Sequence, residues 1–216
     1  MPKVKPTRSL LYLEVKEILL ARIARGTYRP GDRLVETRIA RELDVSQGTV
    51  REALRELEAM RLVESQPHRG ARVRAVSPEE LAEAHQVRAA LEEYAARRAA
   101  ERHVDVTGLQ AEVERMSAAA AAGDATAYAR HSVSFHRRIV EASGNRLLRE
   151  MWNALRVETR TTLDALRAGF DLDAAARSHQ PIVDALAAAD ADAAAELSRR
   201  HAESFQPAHD ERGTHV

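Results

Sequence analysis

The chain has 216 residues, 44% of them apolar, enough for two ordinary domains with a core in each. It has no cysteine, which excludes a disulfide framework, a thiolate metal site and a cysteine nucleophile. No apolar run approaches the roughly 18 residues needed to span a bilayer, so a soluble cytoplasmic protein with no membrane partner is expected. Net charge is zero, but residues 1–76 carry 16 Lys+Arg against 10 Asp+Glu, and residues 77–216 carry 17 against 23. A polyanion is therefore expected at the front of the chain alone.

In chain order, Ser9 precedes Leu10, Leu13, Val15, Ile18, Leu19 and Ile23, the pattern of one helix running to about Arg25, with Gly26 as its stop. Tyr28–Asp32 has turn chemistry. Glu36–Leu43 and Gln47–Ala59 each carry apolar residues at helical spacing, and Asp44-Val45-Ser46 between them leaves room only for a tight turn with Ser46 as N-cap. Two helices so joined predict a helix-turn-helix, with Ser46, Gln47, Thr49 and Arg51 at the start of the second helix aimed at the major groove. Leu62–Val76 predicts a small hairpin with a basic tip, on which Arg69, Arg72 and Arg74 would track phosphates. Three helices and a wing make a winged helix. The order of motifs, PG-x-R-L-x-E, then L-x-V-S-x-x-T-V-R-E-A-L-R-x-L-E-x-x-x-L-V, then RG-x-x-V, resembles the winged helix of the GntR family of bacterial repressors. That resemblance implies a homodimer on a short inverted-repeat operator in double-stranded DNA, contacted by Ser46, Gln47, Thr49, Arg51, Arg69 and Gly70. Many relatives have Arg-Thr-Pro where this chain has Gln47-Gly48-Thr49, so their base preference does not carry over.

Ser77-Pro78-Glu79-Glu80 is a helix start and marks the domain boundary. Beyond it the pattern predicts helices over about 78–102, 105–122, 125–142, 146–168, 173–188 and 190–205, an antiparallel bundle without strands. Residues after Gln206 have the composition of a disordered tail. The expected fold is thus mainly α, with a winged helix-turn-helix over 8–76, an all-helical domain over 77–206, and a tail over 207–216.

Four polar residues lie on inward stripes of the bundle. His136 shares a stripe with Val133, Ile139 and Val140, and His179 with Ile182, Val183 and Leu186. His201 falls with Leu197 and Phe205, and Arg88 with Leu81, Ala84, Leu91 and Ala95. Buried polar groups need partners, so the histidines are either satisfied by neighbours or jointly hold a metal. The motifs F-H-R-x-I-x-x-A-S-G-N-x-x-L, H-x-x-I-x-x-A-L and A-x-x-x-x-x-x-x-H resemble the FCD ligand-binding domain of the FadR-like branch of these regulators. The resemblance implies zinc or nickel on His136, His179 and His201, with an aspartate four residues before the first. That position is Ser132, whose hydroxyl is a weak ligand, so the metal is expected to be looser, completed by water or effector, or absent. His131 points about 100° away and is a poor substitute. The resemblance also places Arg88 in the effector cavity, where a guanidinium fork suits a small carboxylate; an internal salt bridge to Glu92 or Glu158 is the alternative.

Arg88, Ser132, His136, His179 and His201 are accordingly the expected effector-binding set. The resulting expectation is a non-enzymatic, homodimeric transcription repressor that senses a small carboxylate. Two alternatives stand beside it: a metal-dependent enzyme in the helical domain, and a DNA-binding protein whose helical domain only dimerises.

Overall fold

The structure is a computed structural model that describes residues 8–66, 70–75 and 78–204. The chain divides into two compact units.

The first unit contains α1 (Arg8–Ala24), β1 (Arg33–Leu34), α2 (Glu36–Glu42), α3 (Gln47–Ala59), β2 (Val63–Gln66) and β3 (Gly70–Val73). Val15, Leu19 and Leu20 of α1 are buried with Ile39 of α2 and with Val50, Ala53, Leu54 and Leu57 of α3, because each helix repeats its apolar residues on one face. Ser46 caps α3 as expected, its Oγ accepting from the Thr49 N–H at 3.1 Å. The wing has a third strand that the sequence did not announce. β1 pairs antiparallel with β3, Leu34 opposite Ala71, in a sheet of order β1-β3-β2. Two residues are too few to show alternation, yet burial of Leu34 between turn and hairpin fixes the strand.

The second unit is helical: α4 (Pro78–Glu101), α5 (Thr107–Ala121), α6 (Ala125–Ala142), α7 (Arg146–Ala154), α8 (Val157–Leu166), α9 (Leu172–Arg177), α10 (Gln180–Ala187) and α11 (Ala191–Glu203). Asp124, Asn145, Asp171 and Asp190 cap α6, α7, α9 and α11, each accepting from the backbone N–H three residues on. α4 is the spine and packs most extensively on α11. Ala95, Ala96, Ala99 and Ala100 of the one and Ala194, Ala195 and Ala202 of the other are all buried, so the alanine-rich stretches serve close packing.

Two helices expected to be continuous are broken. The span 146–168 divides at Leu155-Arg156, where Arg156 takes φ 53° and the freed Leu155 carbonyl accepts from Arg160 Nε at 3.2 Å. The span 173–188 divides at Ser178-His179, because Pro181 has no N–H for the next helical bond and its ring crowds the carbonyl four residues back. That second break sets His179 at the N-cap of α10 instead of mid-helix. The expected tail after Gln206 and the stripe partner Phe205 lie outside the described residues. No helix among the described residues is long and apolar enough to cross a membrane.

Candidate functional site

On α4 the spacing of three and then four residues puts His85, Arg88 and Glu92 on one inward stripe, and all three are buried. Arg88 Nε lies 2.8 Å from Glu92 Oε1, which also accepts from Trp152 Nε1 at 2.8 Å. His136 Nδ1 on α6 lies 3.2 Å from Glu92 Oε2. Burial would by itself raise the Glu92 carboxyl, but the Arg88 guanidinium, with the His136 ring beside it, outweighs burial and holds the group ionised, below the usual carboxylate range. Arg88 therefore forms the internal salt bridge to Glu92, while its guanidinium still lines a recess. Glu158 instead faces Arg137 on the surface at 3.7 Å.

The three histidines expected on inward stripes do meet. Their ring centroids are 5.3 Å (His136–His179), 5.0 Å (His136–His201) and 4.2 Å (His179–His201) apart. Each has one nitrogen oriented from behind: His136 Nδ1 by Glu92, His179 Nδ1 by the Ala175 carbonyl at 2.9 Å, and His201 Nδ1 by Ser178 Oγ at 3.0 Å. That leaves the three Nε2 atoms as the natural ligand set, and the ligand-capable atoms of the trio all lie within 4.8 Å of one another. His136 Nε2 is buried with no hydrogen-bond partner among the described residues. Burial, followed by neighbouring charge, lowers the pKa of His179 to about 3 and depresses that of His201 strongly, so both imidazoles keep their lone pairs at neutral pH.

The donor set thus fits a borderline divalent ion. Nitrogens around a tetrahedral ion with bonds of about 2.0 Å stand roughly 3.3 Å apart, a contraction that side-chain adjustment can supply. Ser132 Oγ is 3.3 Å from His179 Nε2. With His179 Nδ1–H donating to Ala175, this hydroxyl donates onto the lone pair a metal would use. His131 is turned away, as the helical wheel required, and contacts Glu112 at 2.8 Å.

Sequence reasoning passed over His85, although its i, i+3 spacing to Arg88 was the available signal. It is 1% exposed, and neither ring nitrogen is hydrogen-bonded among the described residues. Burial, then Arg88 and Arg160, pushes its pKa down to about 4. The unfolded chain takes up this proton near pH 6.5 and the folded chain resists it until about 4, so stability is full above 6.5 and lost as pH falls through that window. Urea denaturation at pH 7 and pH 4 should show His85→Leu losing on the order of 2 kcal/mol less than the parent. At pH 7 the same variant should be close to neutral, because the imidazole has no partner to forfeit. Equal losses in the two proteins would assign the acid sensitivity elsewhere.

In the first unit, Ser46, Gln47, Arg51 and Gly70 are exposed and Arg72 half-buried. Thr49 departs from expectation. It is 3% exposed, and its Oγ1 is 2.8 Å from Ser46 Oγ, so it supports the cap and faces inward. A two-residue step from Gln47 turns a side chain about 200° around a helix, which is why the two cannot share the outward face. Arg51 is held by Glu36 of α2, Nη2 to Oε2 at 2.7 Å and Nε at 3.2 Å from both oxygens. Arg72 Nη1 donates to the Gly31 carbonyl at 2.9 Å, fastening the wing to the turn before β1. Arg69 lies outside the described residues.

Comparison with known proteins gives the context of both units. Residues 11–73 match the family described as bacterial regulatory proteins, gntR family, and residues 83–204 match the FCD domain. The chain is 39% identical over 203 residues to a probable D-xylose utilization operon transcriptional repressor of Paenarthrobacter nicotinovorans, covering 94% of this chain and 90% of that protein. It is 30% identical over 140 residues, 64% of this chain and 57% of the relative, to the gluconate operon transcriptional repressor of Bacillus licheniformis. Among solved structures, E. coli McbR/YncC aligns over 90% of this chain and 94% of its own with a TM-score of 0.63 and 25% identity. These families and relatives are transcriptional regulators and not enzymes, which sets aside the metal-dependent enzyme considered for the helical unit. With both units matched in order, the chain belongs to the GntR family of DNA-binding transcriptional regulators, in the branch that carries an FCD domain.

Proposed function

We propose that this regulator is a repressor that binds an inverted-repeat operator as a homodimer through residues 8–76 and releases it when the domain over 77–206 takes up a small carboxylate. The observation that carries the sensing role is the buried trio His136, His179 and His201, each imidazole oriented from behind, beside the Arg88 guanidinium. These three residues would hold a divalent ion, zinc or nickel, which when bound supplies positive charge for an effector carboxylate. Ser132 and Arg88 complete the surroundings, Arg88 offering whatever donors Glu92 leaves over. The two relatives are named for operons of D-xylose and gluconate use, which supports control of carbohydrate genes here.

At the DNA end, Gln47 is the exposed bidentate reader at the start of α3, and Ser46, Arg72 and Gly70 position the backbone. Arg51 reaches a phosphate or base by giving up an exposed pair with Glu36, which solvent already screens. Fluorescence anisotropy on duplex DNA from upstream of the protein's own gene tests the reading. Gln47→Ala should weaken specific binding by about 1–3 kcal/mol with an unchanged salt slope. An effector that stabilises the helical domain should weaken operator binding, and operator should weaken effector binding by the same factor. Independent binding of the two ligands would rule out the coupling.

A further inference from the structure

At Ser132 a recess meets the histidine cluster. It is lined by Arg88, Tyr128, Ser132, Thr161, Asp164 and Phe170, and as it stands it has room for about one water molecule. Its polar inventory is unusual for a site that would take a plain organic acid. The charge of Arg88 is already balanced by Glu92 at 2.8 Å, and Asp164 brings a carboxylate of its own. Three hydroxyls, from Tyr128, Ser132 and Thr161, share the lining, and Phe170 closes it against the Tyr128 ring with centroids 6.1 Å apart. Burial raises the Tyr128 phenol above its ordinary pKa, so it stays a neutral donor and acceptor.

Thr161 provides the independent pointer to a ligand. It is 9% exposed, and its Oγ1 is buried with no hydrogen-bond partner among the described residues. A helical threonine ordinarily satisfies its hydroxyl on the carbonyl one turn back, and the adjacent Thr162 does so with Glu158 O at 2.8 Å. Thr161 does not. An unmet buried hydroxyl costs about 1–3 kcal/mol, a cost that a hydroxyl-bearing ligand would remove. Asp164, one turn further along α8, adds carboxylate oxygens that can accept from a ligand hydroxyl.

We infer that this recess is a hydroxyl-reading subsite and that the effector is a polyhydroxylated monocarboxylate, its carboxylate toward the histidine cluster and its hydroxyls toward Thr161, Asp164 and Tyr128. The inference deepens the sensing role proposed above and rests on its carboxylate. Room for such a ligand requires α8 to give way. That helix is bounded by left-handed backbone at Arg156 (φ 53°) and Gly169 (φ 79°), points where a change of direction can be taken up locally.

The test is calorimetric titration of the full-length protein with D-gluconate, D-galactonate and D-xylonate, against hexanoate, adipate and D-glucitol as ligands lacking the hydroxyls, adding a second acid, or lacking the acid. At least one aldonate should bind, and Thr161→Val should weaken it about tenfold while leaving the thermal midpoint of the free protein unchanged or higher. Asp164→Asn should weaken the aldonate. Hexanoate binding as tightly as the aldonates, with Thr161→Val without effect, would overturn the subsite while leaving the carboxylate reading intact. D-glucitol binding as tightly as the aldonates, with Thr161→Val weakening both, would overturn the acid assignment and the carboxylate reading with it, and keep the hydroxyl contacts. No binding by any aldonate would overturn the inference outright.

Discussion

Replacing Glu92 by alanine should destabilise the helical domain by about 3–5 kcal/mol, a large part of the 5–15 kcal/mol that holds a typical domain together. Glu92 is 2% exposed and serves three groups at once: it neutralises Arg88, accepts from Trp152 Nε1 and faces His136 Nδ1. Its loss leaves a guanidinium buried without a counter-charge, the most expensive of the three consequences. Glu92→Gln keeps an acceptor for Trp152 and should fall between parent and alanine variant. The double substitution Arg88→Met with Glu92→Leu should recover most of the loss, because removing both charges also removes the cost of having desolvated them. Urea denaturation of the parent, Arg88→Met, Glu92→Leu and the double variant gives the coupling between the two positions, expected at 0.5–3 kcal/mol. An alanine variant within 1 kcal/mol of the parent would mean that water reaches Arg88 and that no buried ion pair exists.

What the sequence disclosed about this site, and what it withheld, follows from the range of each signal. His136, His179 and His201 could be placed on inward faces because each repeats with apolar neighbours at helical spacing, and three inward faces of one bundle converge. The break that sets His179 at the start of α10 depends on Pro181, two residues beyond it, and a stripe that runs through both halves conceals it. Glu92 could be named as a partner for Arg88 from i, i+4 spacing, but its bond to Trp152 joins residues 60 apart and has no local trace. Thr49 shows the opposite relation between pattern and place. A polar residue in the first turn of a recognition helix suggests reach toward DNA, whereas its local geometry lets it bond Ser46 and serve the cap. β1 was invisible because two residues carry no period, and only its pairing with β3 defines it.

Zinc or nickel added to chelator-treated protein should raise the thermal midpoint of the helical domain. Linkage makes an ion at one hundred times its dissociation constant worth about 2.7 kcal/mol, on the order of 10 °C for a domain of this size. His179→Ala should abolish the gain, since it removes one of three imidazoles whose Nδ1 atoms are already engaged elsewhere. Ser132 decides the finer point. If its hydroxyl completes the coordination shell, Ser132→Ala weakens the ion. The geometry favours the reverse, because a hydroxyl 3.3 Å from His179 Nε2 that donates onto the lone pair competes with the ion for it. Ser132→Ala is therefore expected to tighten metal binding several-fold, and Ser132→Asp to tighten it further by adding an anionic ligand in place of the competitor. Equilibrium dialysis with a competing chelator measures all four proteins on one scale. Should neither ion shift the midpoint, and His179→Ala behave as the parent does, the three imidazoles would be a hydrogen-bonded core cluster, and Arg88 would have to hold an effector carboxylate without a metal.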